Sequence, residues 1–308
     1  MKLIVHVGLP KTGTTSFQNF LRENRPYLIK KGVAPLVPPE IRQEQIARYT
    51  SANISEENRR MLLKSLKRLI AVRKDQNIHT ILLSEENFLT CILPRKDYDY
   101  STYPNYELAF GLLHELLTEL NLEFKLVVGF REQLGFATSN YLHSVLYDSN
   151  PHEFEHWIKN KVTMQAYNWL LMHQTLCKHF SQDEFMMVDF KSLKRSAFRY
   201  FSLLSGRILS ASRMGTFLKE KCENAQLKNN GLGREGLRLC LEMNRQNNIG
   251  PDHLKRKLAL VNRLEEKTIK ASALLNSQFI DDFQDFFSES NYQLAQLGNV
   301  YPKGKLQT

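Results

Sequence analysis

The chain has 308 residues, 42% of them hydrophobic and 24% charged, with 14 glycines and 10 prolines. That length and mixture fit one large globular domain, or a core with an appendage, and exclude a disordered or fibrous chain. Lys and Arg number 42 against 32 Asp and Glu, a formal net charge of +10 spread along the chain, which favours anionic ligands without naming one.

Leu3, Ile4, Val5 and Val7 are apolar and mostly β-branched, the composition of a strand covered on both faces, and Gly8 and Pro10 punctuate its end. A helix is predicted over about Thr14 to Asn24, with Phe17, Phe20 and Leu21 at the apolar spacing and Pro26 beyond its end. Thr12, Thr14, Thr15 and Ser16 supply candidate capping hydroxyls. The orphan N–H groups and the positive end of the helix dipole make such a turn an anion site, and Lys11 adds a full charge. The nucleotide-triphosphate loop GxxxxGK[ST] is not matched, because its Lys follows the second Gly whereas Lys11 precedes Gly13 by two residues.

Residues 27–55 carry Pro35, Pro38 and Pro39 and read as an extended connection. A helix then starts at Ser55-Glu56-Glu57, with Met61, Leu62, Leu66, Leu69 and Ile70 as its apolar set. Thr80 to Ser84 is a short parallel strand, and Glu85 and Glu86 stand just past its end, where open α/β sheets place ligands. Either carboxylate could serve as a general base there; the other reading is a pair of acids at the start of the next helix. Residues 91–106 hold Tyr98, Tyr100, Tyr103 and Tyr106 with Pro94 and Pro104, an aromatic loop that is either a binding wall or a cover. A helix is expected over Leu108 to Leu120, then a strand over Phe124 to Phe130, with Arg131 at its end and Ser139 eight residues later on the next helix. His143 lies one turn beyond Ser139, as an acceptor-side or structural polar residue.

Helices are expected at 151–160 and 163–180, a strand at Glu184 to Phe190, and helices from Phe198 onward with no strand of comparable strength. His152, His156, His173 and His179 are assigned to helix surfaces, and Gly304 and its neighbours to a frayed tail. Cys91, Cys177, Cys222 and Cys240 show no zinc spacing, which leaves buried reduced thiols in a reducing compartment. No apolar run approaches the ~18 residues that span a bilayer, and the first strand begins at Lys2; a cytoplasmic protein without a transmembrane segment is expected.

Pro10-Lys11-Thr12-Gly13-Thr14-Thr15-Ser16 resembles the 5′-phosphosulfate loop of the sulfotransferases that use 3′-phosphoadenosine 5′-phosphosulfate (PAPS), and Arg131 with Ser139 resembles their 3′-phosphate site. The resemblance covers about residues 1–200 by order of strands and motifs. It implies an α/β fold, a three-layer parallel sheet of P-loop-like topology with a helical C-terminal part. The expected division is a PAPS-binding core over 1–215 and a helical extension of the same domain over 216–308. It further implies PAPS as co-substrate without a metal, held by Lys11, Thr12, Gly13, Thr14, Thr15, Ser16, Arg131 and Ser139. Lys11 would stabilise the leaving phosphate, and Glu86 falls on the acid of a bacterial-type Ser-Ser-Glu, with Glu85 beside it as the second candidate base. Phe190 could lie near the adenine. The basic Arg-Lys-Gly loop of many sulfotransferases is absent, with Lys228 a weak substitute. The implied activity is sulfuryl transfer to a hydroxyl, preferably on a carbohydrate or glycolipid. The competing readings are a P-loop kinase using ATP and Mg²⁺, a silent nucleotide- or glycan-binding protein of the same fold, and a basic nucleic-acid module supported by charge alone.

Overall fold

A computed structural model of the chain describes residues 1–9, 11–43, 56–74, 77–86, 88, 106–161, 164–209, 217–222, 232–246, 252–264 and 268–301. The Tyr98, Tyr100 and Tyr103 loop, Cys91, Lys228 and the last residues lie outside them.

In chain order the strands are β1 (Lys2–Gly8), β2 (Val33–Leu36), β3 (Thr80–Ser84), β4 (Glu123–Phe130), β5 (Phe185–Asp189) and β6 (Val300–Tyr301). The helices are α1 (Thr14–Glu23), α2 (Arg25–Lys30), α3 (Glu40–Gln43), α4 (Glu56–Lys74), α5 (Tyr106–Glu119), α6 (Gln133–Tyr147), α7 (Phe154–Lys161), α8 (Trp169–His179), α9 (Lys191–Arg195), α10 (Ala197–Leu204), α11 (Arg234–Arg245), α12 (His253–Leu264) and α13 (Ser277–Gln296).

The strands form one parallel sheet in the order β2-β3-β1-β4-β5-β6. Both faces are covered, and the period of two explains how. Leu3, Val5 and Val7 of β1 pack with Leu62, Leu66, Phe110 and Phe136, whereas Ile4 packs on the other side with Phe17, Phe20, Tyr200 and Phe201. This is the expected three-layer α/β sheet. The chain runs from β1 to β2 and β3 on one side, then crosses to β4 on the other. The order reverses between β1 and β4, and a crevice opens beyond their C-terminal ends. Gly8 and Gly129 are register partners at that point.

Several details differ from expectation. Residues 33–36 are strand despite Pro35, because β2 is the sheet edge and Pro lacks only a donor that an edge strand can spare. Tyr106 is not a loop residue: it opens α5, is buried and stacks on Phe110. Met61 is exposed rather than core. His173 is buried and bonds Asn299 through Nε2 at 2.8 Å, so it is no surface histidine. Cys177 is exposed, while Cys222 and Cys240 are buried and in no disulfide. The two-residue strand β6 escaped notice because it is too short to carry a pattern; it joins the edge through β5.

The C-terminal helices pack on the core. Asn244 of α11 donates to the Val145 carbonyl at 2.8 Å, and the buried ammonium of Lys257 in α12 donates to the same carbonyl at 3.0 Å. Together they close the C-terminal end of α6.

Candidate functional site

The anion loop follows β1 directly. Leu9 N–H bonds the Gly129 carbonyl at 2.9 Å, fixing the chain to β4 before it turns. Lys11 and Gly13 both take left-handed backbone, with φ of 65° and 74°. A Cβ on Gly13 would stand 3.0 Å from Phe190, so that position needs glycine for space as well as conformation.

The helix cap is not the expected one. Gly13 is the N-cap of α1 and offers no side chain, and the hydroxyl of Thr12 turns inward to donate to the Leu9 carbonyl at 2.6 Å. Thr12 therefore serves the loop's shape and has no hydroxyl proton left for a ligand. The first intrahelical bond runs from Phe17 N–H to the Gly13 carbonyl, leaving the N–H groups of Thr14, Thr15 and Ser16 without a side-chain acceptor. Thr14 is 5% exposed, and its hydroxyl has no partner among the described residues. Thr15 is exposed and Ser16 half-buried. Three backbone donors and one unpaired hydroxyl thus meet at the positive end of a helix dipole.

Lys11 is exposed at the loop's shoulder. Crowding holds its pKa below the ordinary lysine value, with Asp148 pulling it back up. Arg131 reaches across from the end of β4: its guanidinium donates to the Lys11 carbonyl at 3.4 Å and lies 5.1 Å from the centre of the Phe190 ring. Burial lowers its pKa, opposed by Glu132, Asp189 and Tyr200. Trp169 Nε1 donates to the Arg131 carbonyl at 2.8 Å and pins the strand end. The Glu132 side chain then caps α6, accepting from Leu134 and Gly135 N–H at 2.6 and 2.9 Å. Ser139 is half-buried on that helix. Phe190 meets the Arg131 guanidinium, a contact the sequence did not announce.

Past β3 the two acids part company. Glu85 is fully buried, and the Arg42 guanidinium spans both its oxygens at 3.3 Å. Glu86 keeps a solvent-facing side, 22% of its side chain; one oxygen accepts from Arg42 at 2.8 Å and the other from Gln18 Nε2 at 2.8 Å. Gln18 also donates to the Ser84 carbonyl at 3.2 Å. A carboxylate on α1's own tether is thereby set beside the helix whose head forms the anion loop. Glu85 is sealed from solvent and is a counter-charge for Arg42.

Beneath the loop lies His6, fully buried. Its Nδ1 meets Ser84 Oγ at 2.8 Å, and its Nε2 has no partner among the described residues. Burial lowers its pKa to about 3, so the imidazole is neutral. Gln18, Arg42, His6 and Tyr200 were not singled out in the sequence. A Gln on the buried face of a helix could have raised the question, since a buried polar side chain needs a partner.

Among the described residues no three His, Cys, Asp or Glu side chains come together as metal ligands would. Among the described residues no helix is long and apolar enough to cross a membrane. No protein-family model matches the sequence, and no curated relative is found for it. Among solved structures the chain is similar to a sulfotransferase from Alicyclobacillus acidocaldarius, at 12% identity and a TM-score of 0.42, over 86% of this chain and 96% of that one. So loose a likeness bears on no residue of the site.

Proposed function

We propose that the chain is a PAPS-dependent sulfotransferase that moves a sulfuryl group to an acceptor hydroxyl on a carbohydrate or glycolipid. The observation that carries this reading is the head of α1: an uncapped helix start whose unpaired Thr14 hydroxyl is 5% exposed, with the Arg131 guanidinium held across the same loop. A buried polar atom without a partner costs about 1–3 kcal/mol, a cost that a bound anion removes. The donor's two anionic ends suit these groups. Thr14, Thr15, Ser16 and the Gly13 turn take the 5′-phosphosulfate; Arg131, with Ser139 on the facing helix, takes the 3′-phosphate.

In the transfer, the acceptor oxygen bonds to sulfur as the bond from sulfur to the 5′-phosphate oxygen breaks. Lys11 stabilises the charge gathering on that leaving oxygen. The acceptor's proton passes to Glu86, which Arg42 and Gln18 hold as an oriented carboxylate. The partners are thus a nucleotide donor and a small hydroxyl acceptor, and the reaction takes place in the cytoplasm.

A thermal-shift titration tests the donor half without an acceptor. Adenosine 3′,5′-bisphosphate is compared with adenosine 5′-phosphate and with ATP plus Mg²⁺. At ~100 times its dissociation constant a ligand stabilises by about 2.7 kcal/mol, a shift of several degrees. A shift with the bisphosphate well above the other two is expected. A shift with ATP and Mg²⁺ alone would make the chain a kinase or ATPase.

A further inference from the structure

Helix α6 is buried over most of its surface, but one stripe stays open: Gly135, Ser139 and His143 are half-buried and Tyr147 is 45% exposed. Their spacing of four keeps them on one side of the helix. Two points of the stripe tie to the donor machinery. A side chain on Gly135 would meet Arg131 Nε at 3.1 Å, so the guanidinium lies against the first turn. Two turns further on, the charge of Lys11 acts on His143, and Lys11 in turn feels Asp148. At 1.5 Å per residue the stripe runs about 12 Å from Gly135 to His143 and about 6 Å more to Tyr147. It therefore starts at the group assigned to the 3′-phosphate, comes under the charge of Lys11 at His143, and continues to Tyr147.

What continues is chemically distinct. The Tyr147 ring lies 4.4 Å from His143, centre to centre, with its outer face in solvent. His143 Nδ1 is buried and has no partner among the described residues, so no structural hydrogen bond accounts for a histidine here. Burial and Lys11 lower its pKa to about 4, which leaves the imidazole uncharged. Half-buried Asp148 follows, and its carboxylate acts on the ammonium groups of Lys11 and Lys257, offsetting part of the positive charge at this end. An exposed aromatic face beside a neutral imidazole and a carboxylate suits an uncharged ring bearing hydroxyls, with its flat side on Tyr147.

We propose that the His143–Tyr147 edge of α6 is the acceptor subsite and that it takes a neutral hydroxylated ring. The inference rests on the donor reading above. A sugar and a phenol share this chemistry, and the probes separate them.

Saturation-transfer NMR on the full chain needs no turnover. Methyl β-glucoside and 4-methylphenol are the ring probes and sorbitol the open-chain control, each with and without adenosine 3′,5′-bisphosphate. At least one ring should bind, and Tyr147→Ala should weaken it tenfold or more, with Tyr147→Phe restoring it. Bisphosphate affinity should stay within twofold in both variants, since Tyr147 lies beyond the donor. Binding of the sugar alone marks a glycan-type acceptor; binding of the phenol alone marks an aromatic one. The proposal is overturned if neither ring binds, if sorbitol binds as well as the rings, or if Tyr147→Ala binds them unchanged. Failure of the bisphosphate itself to bind appears separately in its own titration and overturns the donor reading.

Discussion

The hydroxyl of Tyr200 donates to the carbonyl of Thr12 at 2.6 Å, joining α10 to the anion loop across 188 residues of sequence. Both residues are fully buried, and burial raises the phenol's pKa well above its ordinary value, so it remains a donor throughout the working range. The loop is therefore held from below by a neutral hydrogen bond and carries its positive groups, Lys11 and Arg131, on the open side.

Tyr200→Phe keeps the ring's packing and removes one donor, leaving a buried carbonyl unpaired. Stability should fall by about 1–3 kcal/mol in urea unfolding. Because that carbonyl belongs to the loop, affinity for adenosine 3′,5′-bisphosphate should fall as well. A variant that loses stability but binds the nucleotide as before would show that the loop holds its shape unaided.

The parts of the site that could be read from the sequence are those whose signals are local. The β-branched run of β1, the turn at Gly13, and Arg131 at the end of β4 each announce themselves within a few residues. What was hidden depends on pairings across the fold. Gln18 and Glu86 are 68 residues apart, and only the sheet order β3-β1 brings the start of α1 against the end of β3. Sequence likewise leaves Glu85 and Glu86 alike, since their burial depends on what packs around the strand end; in the fold Glu85 is fully buried and Glu86 keeps 22% of its side chain open to solvent. Tyr106 was misplaced because aromatic residues next to prolines look alike whether they end a loop or begin a helix.

Lys11→Ala and Arg131→Ala should fail in different ways. In the proposed transfer Lys11 acts on charge that develops as the bond breaks, so its loss should lower kcat by far more than it weakens donor binding. In the same proposal Arg131 recognises a group present in donor and product alike. Its loss should reduce the preference for the 3′,5′-bisphosphate over adenosine 5′-phosphate, measured by calorimetry. Equal damage to kcat and affinity in both variants would merge the two roles.

Glu86→Gln retains the size and the contact with Arg42 but cannot take a proton. Turnover should drop 10²–10⁴-fold with bisphosphate affinity unchanged. Glu85→Gln should show itself in stability instead, since it weakens a buried charge pair without touching the acceptor. If Glu85→Gln were the catalytically dead variant and Glu86→Gln active, the assignment would reverse.

Gly8→Ala tests how closely the loop sits on the sheet. The added Cβ would stand 2.4 Å from the Thr14 hydroxyl and 2.8 Å from that of Thr12, closer than any non-bonded carbon comes to oxygen. Thr12 is tied to the Leu9 carbonyl, so the strain must move the start of α1. A destabilisation of about 1–3 kcal/mol is expected, together with at least a tenfold loss of bisphosphate affinity. Retained affinity would mean that Thr14 can turn away without consequence for the anion.

His6 and His143 make folding sensitive to acid. Burial lowers the His6 pKa to about 3, and burial with Lys11 lowers that of His143 to about 4, against ordinary values of 6.5 in the unfolded chain. Below pH 6.5 the unfolded state binds protons that the folded state refuses. Stability is therefore full above that pH and declines as pH falls toward the folded values. From pH 7 to pH 5 the loss for His6 alone is about 2 kcal/mol by this linkage. His6→Gln offers its amide to Ser84 and carries no titrating group, so urea unfolding of that variant should lose correspondingly less over the same interval. The sign is opposite to that of a salt-bridged histidine, which would gain stability on acidification. If the wild-type chain proved as stable at pH 5 as at pH 7, the imidazole of His6 would have to be reachable by protons, and the packing of Phe17 and the Gly8–Gly129 pair above it would be looser than described.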